Sequence, residues 1–117
     1  MSNSTILVVE DDADLRGALD LTLARSGFTT RLAGGAEAAL ETLRREPVDL
    51  VLSDVNMDGC DGLELLERMH TEQIAAPVLF MTAYADVAKA VRAIRLGAVD
   101  FLMKPFEGGR LIETLRR

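Results

Sequence analysis

Short runs of apolar residues alternate along this chain with segments whose apolar residues recur every three or four positions. The run at residues 50–52 is uninterrupted and lies within Asp-Leu-Val-Leu-Ser-Asp (residues 49–54), which ends at Asp54 before a polar, turn-forming segment. Uninterrupted apolar runs are typical of strands that are buried on both faces of a sheet. The other predicted strands are residues 6–9, 29–32, 78–81 and 101–103.

The segments between these runs have the apolar spacing of helices with one buried face. The residues that mark the five helices by this spacing are Leu15, Ala18, Leu19, Thr22 and Leu23; Ala36, Ala39, Leu40 and Leu43; Leu65, Leu66 and Met69; Val87, Ala90, Val91 and Ile94; and Leu111, Ile112 and Leu115. Gly27 and Gly97 follow the first and fourth helices as left-handed stops, and the second helix is expected to end before Pro47.

Five strand–helix units in succession indicate an α/β fold, a doubly wound parallel sheet with helices on both faces. The first, third and fourth runs are wholly apolar and should be central, whereas the second is polar and the fifth is short. The strand order 2-1-3-4-5, which is flavodoxin-like, satisfies this requirement, whereas the order 3-2-1-4-5 would expose the third run. The crevice where such sheets bind ligands then opens between strands one and three.

Composition limits the classes of function that remain. The chain has 117 residues, 49% of them apolar, and no apolar run approaches the roughly 18 residues that span a bilayer. The start of the chain lacks a basic, signal-like segment, so a cytoplasmic location and no membrane partner are expected. The net charge of −6 argues against direct nucleic-acid binding by this domain. Cys60 is a single cysteine and is interpreted as an unpaired thiol.

Several polar residues follow the predicted strands and should meet at one edge of the sheet. They are Glu10, Asp11 and Asp12 after strand one, Asp54 after strand three, Thr82 after strand four and Lys104 after strand five. Neighbouring carboxylates repel one another by roughly 1–4 kcal/mol per pair at 4 Å, so such a cluster binds protons or a cation. Ligands that are all oxygen atoms favour Mg²⁺.

Each of these residues alone has a commoner explanation, as a turn or helix cap, a helix-terminal acid or a solvated surface charge. Their placement together favours phosphoryl transfer, since Lys104 supplies positive charge, Thr82 supplies a hydroxyl donor, and Asp54 can form an acyl phosphate. His70 is expected on the surface, and the five methionines are expected to fill the core.

With these motifs the chain resembles the receiver (phosphoacceptor) domain of bacterial two-component response regulators. The matching segments, residues 6–12, 49–57, 61–66, 81–84 and 97–106, cover nearly the whole chain in the order found in that family. Residues 85–94, followed by Val-Asp-Phe at 99–101, are similar to receivers of the nitrogen-regulation, dicarboxylate-transport and nitrogen-fixation regulators.

The resemblance implies specific roles at the acidic edge. Asp54 would accept a phosphoryl group from a kinase phosphohistidine. Asp11 and Asp12 would occupy the acidic metal position, and the backbone carbonyl of Asn56 would complete the Mg²⁺ ligands with Asp54. Thr82 and Lys104 would contact the phosphoryl oxygens.

The resemblance also implies how the signal leaves the site. Thr82 and Phe101 would act as the switch, and the peptide bond between Lys104 and Pro105 would be cis. The fourth helix, fifth strand and fifth helix would then contact an output domain or effector, with transcription as the expected output.

The implied protein is a phosphorylation-dependent switch, not an enzyme beyond its own phosphorylation and dephosphorylation. Its expected partners are a sensor histidine kinase, an output domain or effector and, on phosphorylation, a second copy of the chain. Residues 1–117 are interpreted as one receiver domain, either the N-terminal part of a longer regulator or a single-domain regulator.

Two residues depart from the family pattern. Asp58 stands where a proline is usual, which removes a rigid turn and adds negative charge, and Phe101 replaces a frequent tyrosine. Asn56 and Tyr84 lie where the family tunes the lifetime of the acyl phosphate.

Two other classes of protein remain as alternatives. A phosphatase of the haloacid-dehalogenase type also forms an aspartyl phosphate, and residues 12–14, Asp-Ala-Asp, have the spacing of its motif. These residues are expected to open a helix, however, and no cap domain is evident. A receiver-like interaction module that is never phosphorylated is the second alternative, and it predicts no Mg²⁺-dependent labelling.

Overall fold

Strands and helices alternate through the part of the chain that the computed structural model describes, residues 4–56, 62–82, 87–104 and 108–116. The elements are β1 Thr5–Val9, α1 Ala13–Arg25, β2 Thr29–Ala33, α2 Ala36–Arg45, β3 Leu50–Asp54, α3 Gly62–Thr71, β4 Val78–Thr82, α4 Val87–Arg95, β5 Asp100–Met103 and α5 Gly108–Leu115. Every predicted strand and helix is present, with strand boundaries that differ from the prediction by one or two residues.

The strands form one parallel sheet in the order β2-β1-β3-β4-β5, so the predicted α/β fold and strand order are confirmed. β1 lies between β2 and β3, with Ile6 opposite Leu50 and Val9 opposite Ser53. The fully apolar strands β1, β3 and β4 are central because only a central strand is covered by helices on both faces.

Helices cover both faces of the sheet and divide the core into two clusters. On one face, α1 and α5 contribute Leu19, Leu23 and Leu111 to a cluster that includes Val8 and Leu52. On the other face, α2, α3 and α4 pack on a larger cluster, whose members include Leu40, Leu65, Phe80 and Ala93. The sheet is therefore the middle layer of three.

Strand alternation assigns the polar residues at the sheet edge to opposite faces, because successive side chains of a strand point in opposite directions. Glu10, Asp54 and Lys104 continue the alternate positions that face α1 and α5. Thr82 and Phe101 fall on the alternate positions that face α2, α3 and α4. The two groups of predicted site residues therefore lie on different sides of the sheet.

Two of the four apolar residues whose spacing predicted α4 are exposed. Ala90 and Ala93 are buried, whereas Val91 and Ile94 are 41% and 38% exposed. Small alanine side chains allow the helix to pack closely on the sheet, and the larger aliphatic residues then lie at its flank. In α1, Leu19 and Leu23 are buried as predicted, but Ala18 is exposed.

Helix ends and lengths follow the sequence signals. Gly27 and Gly97 adopt φ values of +95° and +114° after α1 and α4, which confirms both predicted stops, because only glycine takes this conformation readily.

His70 is exposed, as predicted. Within the described residues, no helix has both the length and the apolar character needed to span a membrane.

Candidate functional site

Three carboxylates meet where β1 and β3 end. Glu10, Asp11 and Asp54 each offer an oxygen atom, and these atoms lie within 4.8 Å of one another. Glu10 is 1% exposed and Asp54 is 8% exposed, so two of the three are withdrawn from water. Burial of neighbouring negative charges is unfavourable unless a cation offsets them. The oxygen-only donor set fits a hard cation such as Mg²⁺.

Lys104 supplies positive charge to this acidic cluster from the end of β5. Its Nζ atom lies 2.8 Å from Asp54 Oδ2 and 3.2 Å from Glu10 Oε1, donating a hydrogen bond to each carboxylate. The backbone N–H of Lys104 donates to the carbonyl oxygen of Thr82 at 2.7 Å, which holds the end of β5 beside β4. Lys104 therefore joins residues that are 94 and 50 positions away in the chain.

Burial and charge shift the pKa values of Glu10 and Lys104. Burial raises the pKa of Glu10, and the nearby Asp54 charge adds to this effect, while hydrogen bonds from the Asp12 N–H and from Lys104 oppose it. Burial alone would lower the pKa of Lys104, but its hydrogen bond to Asp54 and the charges of Asp54 and Glu10 more than offset burial, so that pKa is raised. Lys104 is thus a stable cation at neutral pH.

Asp12 caps helix α1. One carboxylate oxygen, Oδ1, accepts hydrogen bonds from the backbone N–H groups of Asp14 and Leu15, at 3.0 and 3.3 Å. Its own N–H donates to Glu10 Oε2 at 3.1 Å. Asp12 as a metal ligand stays a prediction, and Asp14 is an exposed residue of the first helical turn. This helix-capping arrangement is not that of a phosphatase nucleophile.

Glu10 is the acid that the predicted ligand set omitted. The alternation of β1 could have identified it, because Glu10 has the same parity as Val8 and Asp54 has the same parity as Leu52, on adjacent parallel strands. Arg16 of α1 was also not anticipated. Its guanidinium donates to the Glu10 carbonyl oxygen at 2.7 Å, which connects the end of β1 to the helix that follows.

Asn56 connects the end of β3 to α4. Its backbone N–H donates to Asp54 Oδ1 at 3.0 Å, and its side-chain Oδ1 accepts a hydrogen bond from Lys89 Nζ at 2.9 Å. The backbone carbonyl of Asn56 as a metal ligand stays a prediction. Lys89 was not anticipated, and its position three residues into a helix that follows a central strand was the only available signal.

Thr82 and Phe101 lie beside the acidic cluster but on the other side of the sheet. Thr82 is fully buried at the end of β4, one residue beyond Met81, which pairs with Asp54. Phe101 pairs with Phe80 and is half-buried against the core under α2, α3 and α4. The predictions for Asp58, Tyr84, Cys60 and the cis bond at Pro105 concern residues outside those that the structure describes.

Residues 6–116 match the family model for the response regulator receiver domain. The chain belongs to this family. The receiver domain is 49% identical over 112 residues to the response regulator protein FleR of Pseudomonas aeruginosa, covering 96% of this chain and 24% of FleR. It is 48% identical over 106 residues to the transcriptional regulatory protein FixJ of Bradyrhizobium diazoefficiens, covering 91% of this chain and 52% of FixJ.

Solved structures agree with this assignment. The crystal structure of the receiver domain of NtrX from Brucella abortus superimposes with a TM-score of 0.90 at 37% identity, covering 96% of this chain and 95% of that one. The matching proteins also include the transcriptional regulators NtrC and DctD, which confirms the narrower resemblance. The receiver domain spans about a quarter of the length of FleR and about half of FixJ.

Proposed function

We propose that this receiver domain is a phosphorylation-dependent signalling switch in which Asp54 accepts a phosphoryl group from a phosphohistidine of a sensor histidine kinase in the cytoplasm. One observation carries the proposal. The Asp54 carboxylate, at the end of a central strand, lies 2.8 Å from Lys104 Nζ and within 4.8 Å of carboxylate oxygens from two other acids. This arrangement provides a nucleophile, a cation and a cation-binding set at one edge of the sheet.

The transfer requires that one bond form and one break. An Asp54 carboxylate oxygen attacks phosphorus, the phosphorus–nitrogen bond of the kinase phosphohistidine breaks, and the electron pair of that bond stays on the imidazole nitrogen. Lys104, which contacts Asp54 Oδ2, is placed to follow the transferred group and contact one of its oxygens. The Thr82 hydroxyl would donate to another phosphoryl oxygen.

Glu10, Asp11 and Asp54 would hold Mg²⁺, and Asp12 and the Asn56 carbonyl remain further proposed contributors. Mg²⁺, when bound, supplies positive charge that offsets the negative charge of the transferring group. In the unphosphorylated domain, Glu10 and Asp11 would provide oxygen ligands, while hydrogen bonds from Lys104 Nζ and from the Asn56 N–H orient the Asp54 carboxylate.

The signal would leave through Thr82 and Phe101. A phosphoryl group adds about −1.5 to −2 charges and draws the Thr82 hydroxyl toward it, so Phe101 can occupy the space that Thr82 vacates. Exposed apolar side chains on α4 and around β5 support this face, together with α5, as the contact with an output domain, an effector or a second copy of the chain. They are Val91, Ile94, Leu96, Val99 and Met103.

Labelling with a small phosphodonor tests the chemistry. Incubation with acetyl phosphate and Mg²⁺ should add the mass of one phosphoryl group, and peptide mapping should place it on Asp54. Asp54→Asn should abolish labelling. Asp49→Asn is the matched control, because Asp49 precedes the same strand at the opposite end of the sheet and its carboxylate accepts the Thr5 N–H. Full labelling of Asp54→Asn would overturn the proposal.

Chemical shifts test the switch separately from the chemistry. Phosphorylation should move the resonances of Phe101 and of its neighbours on β4 and α4, because the aromatic ring changes its packing. Thr82→Ala should still be phosphorylated but should show smaller shifts at Phe101, since the hydroxyl that responds to the phosphoryl group is missing. Phe101 resonances that stay unchanged on full phosphorylation would contradict the switch.

A further inference from the structure

Lys89 of helix α4 contacts Asn56 beside the proposed phosphorylation site. The proposed chemistry does not use this lysine. We propose that Lys89 is a positioning residue that holds Asn56 across the solvent side of Asp54 and thereby slows hydrolysis of the aspartyl phosphate. The inference rests on the proposed function and identifies a residue of this chain that would regulate the same site.

A continuous series of hydrogen bonds connects α4 to the phosphoacceptor. Lys89 Nζ donates to Asn56 Oδ1 at 2.9 Å, and the Asn56 backbone N–H donates to Asp54 Oδ1 at 3.0 Å. The two ends of the first contact are 33 residues apart in the chain, so it joins two separate elements. The ammonium group makes it a charge-assisted hydrogen bond, which is stronger than one between neutral groups.

The position of Asn56 explains why this contact matters for water. Asp54 is 8% exposed, whereas Asn56, whose N–H contacts Asp54 Oδ1, is exposed to solvent. Lys89 reaches this residue from the first turn of α4, and the contact therefore bridges the gap between the end of β3 and α4. In the proposal, this contact hinders the approach of water to a phosphoryl group on Asp54.

Charge at the site also favours a cation at this position. Lys104 forms ion pairs with Glu10 and Asp54, which belong to an acidic cluster that also includes Asp11. A phosphoryl group adds about −1.5 to −2 further charges. Lys89 adds a positive charge beside Asn56. Attraction between this charge and the phosphorylated site should strengthen the contact between Lys89 and Asn56.

Decay of the phosphorylated domain is the primary measurement. The domain is phosphorylated with acetyl phosphate and Mg²⁺, the donor is removed, and the remaining phosphoprotein is followed by intact mass. Lys89→Met should shorten the lifetime by about three- to tenfold, the range expected for one hydrogen bond of ordinary strength, because solvent screens the charge of this exposed contact. Lys89→Arg should restore most of it. An unchanged lifetime in Lys89→Met would overturn the inference.

Arg95→Met is the matched control for charge and helix. Arg95 is exposed at the last residue of α4, six positions and roughly 9 Å along the helix from Lys89. Arg95→Met removes one positive charge and adds the same side chain, so effects of net charge or of a methionine on the helix should appear in both variants. A lifetime shortened equally by Arg95→Met would overturn a specific role for Lys89.

A double-mutant cycle tests whether Lys89 acts through Asn56. Asn56→Ala removes the acceptor, so adding Lys89→Met to it should change the lifetime by less than about twofold, because interacting residues are not additive. Multiplied effects would contradict the proposal. Chemical denaturation should be used to check that every variant is folded. Lys89→Gln replaces Lys89→Met if the methionine variant does not fold.

A measurement on the unphosphorylated domain separates this inference from the proposed function. The side-chain amide resonance of Asn56 should move in Lys89→Met and stay in place in Arg95→Met. If neither the wild type nor any variant accepts phosphate, the proposed function fails. The Asn56 resonance still reports the contact between Lys89 and Asn56 in that case. If phosphate is accepted and the resonance moves while the lifetime does not change, the inference alone fails.

Discussion

A buried glutamate beside an aspartate should make the stability of this receiver domain depend on pH. Glu10 is almost fully buried, and burial together with the Asp54 charge raises its pKa above the ordinary value of 4.5. The folded state therefore binds a proton at Glu10 more tightly than the unfolded state does. By linkage, the contribution of Glu10 to stability falls as the pH rises from the unfolded pKa through the folded one.

Glu10→Gln should consequently change the pH dependence of stability. In the absence of Mg²⁺, wild type should lose stability relative to the variant as the pH rises above about 4.5, since only wild type must ionise this buried group. Urea unfolding of both proteins between acidic and neutral pH measures the difference. A difference that stays constant across that range would show that Glu10 does not titrate abnormally.

Asp12 permits a separate prediction about the first helix. Asp12→Ala should lower the free energy of unfolding by about 1 kcal/mol, because the N–H groups of Asp14 and Leu15 lose their acceptor. Asp12→Asn should retain the cap and most of the stability. Thermal unfolding without metal measures this effect, and Mg²⁺ titration of the Asn variant tests whether Asp12 is also a ligand. Equal stability loss in both variants would contradict the cap.

Gly62, at the start of α3, packs closely against Phe80 and the backbone at the end of β3. A Cβ atom on Gly62 would lie 2.5 Å from Phe80 Cε1, 2.7 Å from the Asp54 carbonyl oxygen and 2.9 Å from Val55 Cα. Two of these neighbours are backbone atoms of β3 and of the residue that follows it. Any side chain at position 62 must therefore displace α3 or the end of β3.

Gly62→Ala should destabilise the domain by about 1–3 kcal/mol, the usual cost of overpacking a well-packed interior. Gly17→Ala is the control, because Gly17 is an exposed helical position of α1 where an added methyl group would meet no atom within 4 Å. That change should stabilise the domain by about 0.5–1 kcal/mol through helix propensity. Urea unfolding of both variants tests the contrast, and equal effects would contradict it.

The sequence predicted helix α4 correctly, but it did not predict which residues of the helix are buried. Its boundaries follow from apolar spacing and the Gly97 stop, but spacing alone does not distinguish burial against the sheet from burial against a partner. Ala90 and Ala93 face the sheet because their small side chains allow close approach, and this turns Val91 and Ile94 outward.

At the scale of the whole molecule, the acidic cluster should link metal binding to folding. Three carboxylates within 4.8 Å exist as a set only in the folded chain, because Glu10 and Asp54 lie on different strands. Mg²⁺ at 100 times its Kd should therefore raise the free energy of unfolding by about 2.7 kcal/mol.

Asp11→Asn should largely remove this stabilisation, and Asp49→Asn should not, because Asp49 lies at the other end of β3. Thermal unfolding with and without MgCl₂, compared with NaCl at matched ionic strength, measures the effect. A rise in melting temperature that is equal in wild type and Asp11→Asn would show that Mg²⁺ acts elsewhere.

Local patterns in the sequence determined the strands, the helices and their order in the sheet, because apolar runs and helical periodicity report burial directly. They also determined that Asp54 and Lys104 end strands at the same edge, since parallel strands end together. Strand alternation in the sequence was sufficient to place Glu10 beside Asp54, whereas only the tertiary structure decided that Asp12 caps α1 and that Lys89 reaches Asn56. These outcomes depend on turn geometry and helix orientation, which arise from packing between residues distant in the chain.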